Sequence, residues 1–228
     1  KADPVTRTTN AVLVLPPDHG LIQRMRAKIS VDLQRAASIC CQCRMCTDLC
    51  PRYLLGHPIE PHLFMRSAAN HDLQNTDVYL NTFFCCSCGL CELYSCPQGL
   101  APRTLITEYR NRLRARGVKA PQNVRPAPVR AAREYRRAPE TRLAARLDLV
   151  RYDVPAPLVE ERLQVPEVKL LLSQHIGAPA RTCVKAGEHV RRGQAVAQAG
   201  EGLSIPVHAS IDGTVTEVTD RYVVVRRG

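Results

Sequence analysis

Tryptophan is absent from this chain of 228 residues, and aromatic side chains make up only 4% of it. Its cores must therefore be built from Leu, Val, Ala and Ile, which is adequate for small domains. No apolar run approaches the roughly 20 residues that a membrane-spanning helix needs, so a membrane span is not expected. A glycine-rich dinucleotide loop is also missing, which leaves these residues without a visible means of accepting a hydride. No secretory segment marks the chain for an oxidising compartment, and the cytoplasm is expected. The chain begins at Lys1 rather than methionine, and an upstream portion is expected.

Cysteine, by contrast, is abundant. Eight of the 11 cysteines fall into two copies of one word, Cys40-x2-Cys43-x2-Cys46-x3-Cys50-Pro51 and Cys85-x2-Cys88-x2-Cys91-x4-Cys96-Pro97. This is the signature of two 4Fe-4S clusters: three cysteines at a three-residue period wrap one loop around a cluster, and the fourth iron takes a cysteine from the opposite word. The expected ligand sets are Cys40, Cys43, Cys46 and Cys96 for one cluster, and Cys85, Cys88, Cys91 and Cys50 for the other. Structural zinc uses similar Cys-x2-Cys spacing, but it needs only four ligands per ion and leaves the third cysteine of each word unexplained. A disulfide framework fits less well, since cysteines this close in sequence make poor disulfide geometry. Cys41 and Cys86, each directly after a first ligand, are expected to turn away from the clusters as small buried packing residues, with a reserve-ligand role as the alternative. Cys183 reads as an apolar strand residue. With both ligand sets complete, His57, His62 and His71 are expected to serve on the surface or in helix packing.

The formal net charge of +11 counts cysteine as neutral, and eight thiolates around two oxidised clusters would cancel part of it. Thirteen arginines lie between Arg103 and Arg151, interleaved with Pro121, Pro126, Pro128 and Pro139. The stretch lacks the stacking platform of a single-strand binder and any recognised nucleic-acid motif. No nucleic-acid partner is expected; a solvated face, or a dock for an acidic partner, is.

Length allows one or two domains, and the change of pattern along the chain favours two, with a leading segment and a linker beside them. Residues 1–36 read as a leading strand, Ala11-Val-Leu-Val-Leu15, and a helix capped by Asp18 with apolar positions Leu21, Ile22, Met25, Ile29 and Leu33. Residues 37–118 read as a helical two-cluster ferredoxin-like domain, with helices at Pro61 to Ala69, at Thr76 to Phe84, and from Pro102 to a stop at Gly117. Residues 119–164 form a Pro/Arg-rich linker able to drape over its neighbours. Residues 165–228 form a small all-β domain with strands at Val168 to Leu172, Ala180 to Val184, Val207 to Ala209, Gly213 to Val218 and Tyr222 to Arg226. The fold class is thus α+β and multidomain.

Val184-Lys-Ala-Gly187 through Gln194-Ala-Val, followed by Val207-His-Ala-Ser-Ile-Asp-Gly213, resembles the two halves of a biotinyl/lipoyl-type hammerhead, a barrel-sandwich hybrid. The turn between the halves, Ala199 to Ile205, holds no lysine, so neither biotin nor lipoate is expected. Leu172-Ser-Gln-His-Ile-Gly-Ala-Pro179 is similar to the matching domain of the RnfC protein of Rnf electron-transport complexes, but there the domain precedes the redox modules and here it follows the clusters. That order, with the phrases Cys40 to Pro58 and Cys85 to Pro97, resembles the carboxyl-terminal half of the propanediol-utilization cobalamin reductases. The resemblance implies an NADH-dependent cob(III)alamin/cob(II)alamin reductase, a flavoprotein with FMN and NADH on an upstream module, and single electrons relayed through the clusters to a corrinoid. It further implies an adenosyltransferase and a shell protein as partners in a bacterial microcompartment lumen. An RnfC-like or other ferredoxin-type electron-transfer protein of a larger redox complex is the alternative.

Overall fold

A computed structural model describes residues 4–158 and 164–228. Two compact units emerge: Leu15–Pro155, and the described residues of Lys1–Val14 with those of Ala156–Gly228. The architecture is α+β, with helices in the first unit and antiparallel sheets in the second.

The helical unit starts with α1 (Gly20–Arg26), capped by His19, whose ring nitrogen accepts from the Leu21 amide at 3.2 Å. The single long helix expected from Asp18 breaks at Ala27 and Lys28, both extended, before α2 (Ile29–Ile39) begins. Neither residue is a helix breaker by propensity; packing decides. No residue of α1 is buried, whereas α2 seats Ala36 in the core with Ile29 and Leu33 against it. The apolar run Ala11 to Leu15 forms no strand, and Val12, Leu13 and Val14 are exposed. A strand needs a partner edge, and among the described residues the run has none.

Three further helices complete the core. They are α5 (Pro61–Ala69), α6 (Thr76–Leu80) and α8 (Pro102–Ala115), two of them opened by proline, which lacks only an amide that would be unpaired there. The helix expected to reach Phe84 tightens into a 3-10 turn at Asn81–Phe84, where the Thr82 hydroxyl takes the Tyr79 carbonyl at 2.5 Å. Phe64, Met65, Leu105 and Ile106 are almost fully buried. Phe64 sits edge-on to Tyr79 and Tyr109, which stack at 5.7 Å between centroids, so a few rings carry much of an aromatic-poor core.

The Pro/Arg-rich segment packs with this unit as far as Pro155. It contains a 3-10 turn at Ala131–Tyr135 and helix α9 (Glu140–Arg146). The Ala127 amide donates to the Gly56 carbonyl at 2.9 Å, the Arg130 amide to Leu54 at 3.0 Å, and the Arg130 guanidinium lies 3.9 Å over the Tyr53 ring. Gly56 has φ +88, and a Cβ there would stand 1.9 Å from the Ala127 carbonyl oxygen. Only glycine permits so close a crossing.

The β unit holds β1 (Glu167–Leu171), β2 (Arg181–Thr182), β3 (His189–Val190), β4 (Ala195–Gln198), β5 (Val207–His208), β6 (Gly213–Val218) and β7 (Tyr222–Arg226). One sheet runs β1-β7-β6-β3 and the other β2-β4-β5. Registers such as Val168 opposite Val225 and Leu170 opposite Val223 bring one face of β1 and β7 into a core of Val190, Val196, Val215, Val223 and Val225. Strands β3 and β4 extend the five that were expected. Cys183 lies just past β2, its amide donating to Val196 at 3.0 Å, but its side chain is exposed and it is not the apolar strand residue expected.

Candidate metal centres

The two cysteine words fold alike. In the first, Gln42 (φ 53) and Arg44 (φ 67) take the left-handed conformation; in the second, Ser87 (φ 59) and Gly89 (φ 80) do so at the same offsets. Left-handed backbone at a non-glycine residue costs about 1–3 kcal/mol and persists where the surroundings require it. Alternating handedness curls the chain into a nest of amides suited to an anion. Each loop then runs into a short helix, α3 (Met45–Asp48) or α7 (Leu90–Leu93), carrying the third cysteine of its word. Cys50 precedes α4 (Pro51–Leu54), whose proline starts a new turn and carries the chain away from its own loop.

The cysteines gather across the words. Cys40, Cys43, Cys46 and Cys96 line one hollow together with Cys41, Arg44, His62 and Met65. Cys50 stands within electrostatic reach of Cys85, and so does Cys91 of both, while Cys88 senses Cys50. Cys50 and Cys88 also sense Cys86, so five cysteines gather here, and crossed ligation would draw Cys85, Cys88, Cys91 and Cys50 from them. Cys91 also senses Cys46, so the two sets adjoin. Burial pushes the Cys46 thiol up to about 12, with Cys40, Cys96 and Cys43 adding to the rise. Burial likewise lifts Cys88 to about 11, and raises Cys50 and Cys91. Thiols in such surroundings ionise only when a strong positive charge joins them, which is what iron supplies. Sulfur acceptors are already served by amides: Ser87 donates to Cys85 Sγ at 3.3 Å and Leu100 to Cys96 Sγ at 3.4 Å.

Among the described residues no three cysteine, histidine or carboxylate side chains converge on a point suited to one bare ion. Zinc, with bonds of about 2.3 Å, would hold its sulfurs roughly 3.8 Å apart. Four cysteines lining one hollow make a donor set whose chemistry suits an iron–sulfur cluster.

The remaining candidates fall into place individually. Cys41 and Cys86 are exposed, not buried packing residues, because the position after each first ligand lies on the uncovered side of its loop. His62 borders the first hollow but is held by Thr47 Oγ1 at 2.8 Å, and burial lowers its pKa. His57 stacks on Phe84 and meets Arg52 Nη1 at 3.0 Å, and His71 is exposed.

Several site residues had no signal in the cysteine pattern. Glu92, directly after Cys91, has a fully buried side chain that accepts from Arg103 Nη2 (2.8 Å), the Thr104 amide (2.8 Å) and the Thr104 hydroxyl (3.1 Å). It thereby caps α8 and ties that helix to the second word. Arg110, also on α8, donates to the Cys85 carbonyl at 2.7 Å and to Ser87 Oγ at 2.9 Å. The acid after Cys91 and the proline-led Arg103-Thr104 pair were visible, but nothing local linked them.

Residues 39–101 match the family model of a 4Fe-4S dicluster domain, and residues 157–228 that of the RnfC barrel sandwich hybrid domain. The chain is 42% identical over 227 residues, 99% of its length, to cobalamin reductase PduS of Salmonella typhimurium. Along nearly its whole length the chain is similar to half of that reductase. A 42% match over 99% of the chain is found again with PduS of Citrobacter freundii, and in both cases the alignment covers 50% of the relative. The chain thus spans about half the length of these PduS relatives. A shorter match, 47% over 58 residues, covers 25% of the chain and 7% of a component of the ion-translocating oxidoreductase complex of Klebsiella pneumoniae. Together with the dicluster domain, the PduS similarity marks an iron–sulfur electron-transfer protein. Among the described residues no helix is long and apolar enough to cross a membrane.

Proposed function

We propose that this chain is the electron-relay part of a flavin- and iron–sulfur-dependent cobalamin reductase. Supporting this most strongly is the gathering of eight cysteines into two adjoining sets in a chain similar over 99% of its length to PduS. Cys40, Cys43, Cys46 and Cys96 would hold one 4Fe-4S cluster, and Cys85, Cys88, Cys91 and Cys50 the other. Such clusters take up and give up electrons singly, as conversion of a hydride pair to one-electron corrinoid reduction demands. The protein contributes the nests, the amide donors to sulfur and the burial that excludes water.

The hydride chemistry belongs to a part of the PduS length that this chain does not span: NADH and FMN would bind there. The electron acceptor is a corrinoid, reduced from cob(III)alamin and cob(II)alamin ahead of an adenosyltransferase, in a propanediol-utilization microcompartment lumen within the cytoplasm and near its shell protein. The β unit carries neither biotin nor lipoate, because the turn between its halves lacks the lysine to which either would be joined. A second reading, an RnfC-like electron-transfer protein of a larger redox complex, draws on the RnfC barrel match. The order of modules, clusters before barrel, favours the reductase.

Stopped-flow mixing of dithionite-reduced, desalted protein with hydroxocobalamin tests the proposal. Cluster reoxidation is expected to be much faster than in a variant lacking Cys43 and Cys88, with no turnover of NADH by this chain. Reoxidation no faster than in that variant would remove the corrinoid as acceptor, and NADH turnover would reveal a nucleotide site within these residues.

A further inference from the structure

Helix α8 turns one face to the second cysteine word, and that face has more donors than partners. Arg103, Thr107 and Arg110 follow one another at helical spacing, so they share a side of the helix. Each carries a buried atom with no hydrogen-bond partner among the described residues: Arg103 Nε, Thr107 Oγ1 and Arg110 Nε. Arg103 Nε comes within 3.9 Å of where Gly89, in the second word's loop, would carry a Cβ. Arg110 is only 9% exposed and grips the loop on both sides of its first cysteine turn, at the Cys85 carbonyl and at Ser87 Oγ. No carboxylate among the described residues pairs with it; the ion pairs of α8 are Arg103 with Glu92 and Arg112 with Glu108.

A buried guanidinium without a counter-charge is costly, and buried donors without acceptors call for an absent ion or water. Four thiolates around an oxidised iron–sulfur core form a dianion with acceptor sulfurs, and reduction makes it more negative. Among the described residues the first word has no equivalent buried arginine. Its Arg44 is engaged by Asp48 at 3.3 Å and Glu60 at 4.0 Å, and Arg146, which reaches the Cys96 carbonyl at 3.1 Å, is exposed to screening water.

Building on the relay reading above, we propose that this face of α8 is the charge and hydrogen-bond platform of the cluster on Cys85, Cys88, Cys91 and Cys50. Arg110, as its positioning residue, holds that cluster at a less negative potential than its neighbour. Electrons then collect on the second cluster from the first. A unit charge within about 8 Å, at an effective dielectric of about 20, alters the reduced-to-oxidised ratio on the order of tenfold or more. Tenfold corresponds to about 59 mV for a one-electron couple.

EPR-monitored redox titration of the reconstituted chain tests this with Arg110→Gln, Arg110→Lys and, as an exposed control, Arg112→Gln. Arg110→Gln should move the less negative midpoint downward by on the order of tenfold in that ratio, leaving the other in place. Arg110→Lys and Arg112→Gln should keep both midpoints. Unmoved midpoints in Arg110→Gln, movement of the more negative one, or an equal shift in Arg110→Lys would overturn the proposal. Should Arg110→Gln fail to hold its iron, Arg110→Lys decides: retained clusters at wild-type midpoints support a charge role, and lost clusters overturn it. Wild-type protein that takes up no clusters would instead overturn the relay reading on which this rests.

Discussion

Replacing Glu92 with glutamine probes the joint between the second cysteine word and the helical core. The carboxylate is fully buried, pairs with Arg103 at 2.8 Å and accepts two bonds from Thr104. Glutamine keeps the shape and one acceptor oxygen but sets an amide donor against donors already there. Breaking a buried pair from one side costs about 3–5 kcal/mol. The Arg103 side chain is 35% exposed, so water can recover part of its charge and the lower end, about 3 kcal/mol, applies. At roughly 2–4 °C per kcal/mol for a protein of this size, the melting temperature should fall by about 6–12 °C. Anaerobic thermal melts would measure that fall, and guanidinium unfolding followed by far-UV circular dichroism and by cluster absorbance would measure the free-energy loss. Arg103→Gln should also destabilise, and the double variant should recover part of the summed loss, because the lone buried charge is gone. A loss below about 1 kcal/mol in Glu92→Gln, or strict additivity, would refute the view that this pair is a buried, mutually dependent joint.

Other perturbations follow from the same contacts. Gly56→Ala should destabilise the helical unit by about 2 kcal/mol or more, since φ +88 and the Ala127 carbonyl leave no room for a Cβ. Hydrogen exchange should show the Ala127 and Arg130 amides released, and unchanged protection there would count against the strap. Burial raises the Asp32 pKa, partly offset by Arg35 and Arg24, so the folded state binds that proton more tightly than the unfolded chain and stability falls as pH rises through the folded value. Asp32→Asn should therefore raise the denaturation midpoint near neutral pH, with the gain shrinking as pH drops towards about 4; a gain independent of pH would contradict the assignment. Cys50→Ala should chiefly injure the cluster on Cys85, Cys88 and Cys91, and Cys96→Ala the one on Cys40, Cys43 and Cys46. EPR of each variant distinguishes them, and loss of the same signal in both would end crossed ligation.

What could be read directly from the sequence was what local chemistry dictates. The cysteine words, the proline-led starts of α5 and α8, and the valine-rich strands β6 and β7 all carry their signals within a few residues. The misreadings arose where distant partners decide. Ala11 to Leu15 has strand-forming residues but no edge to pair with, and the break at Ala27 and Lys28 reflects which apolar stripe the core accepts. Strands β3 and β4 are two and four residues long, too short for alternation to declare itself. In the metal region the two cysteine words were legible because the spacing is itself the chemistry. Glu92 and Arg110 were not, since their roles depend on α8 crossing the second word, which no pattern along the chain announces.

Anaerobic reconstitution followed by iron and acid-labile sulfide analysis, with EPR of the reduced protein, tests the central claim most directly. The account expects about eight irons and about eight sulfides per chain, with spectra of two neighbouring, interacting 4Fe-4S clusters. A zinc-only protein that resists reconstitution, or the spectrum of one isolated cluster, would contradict it.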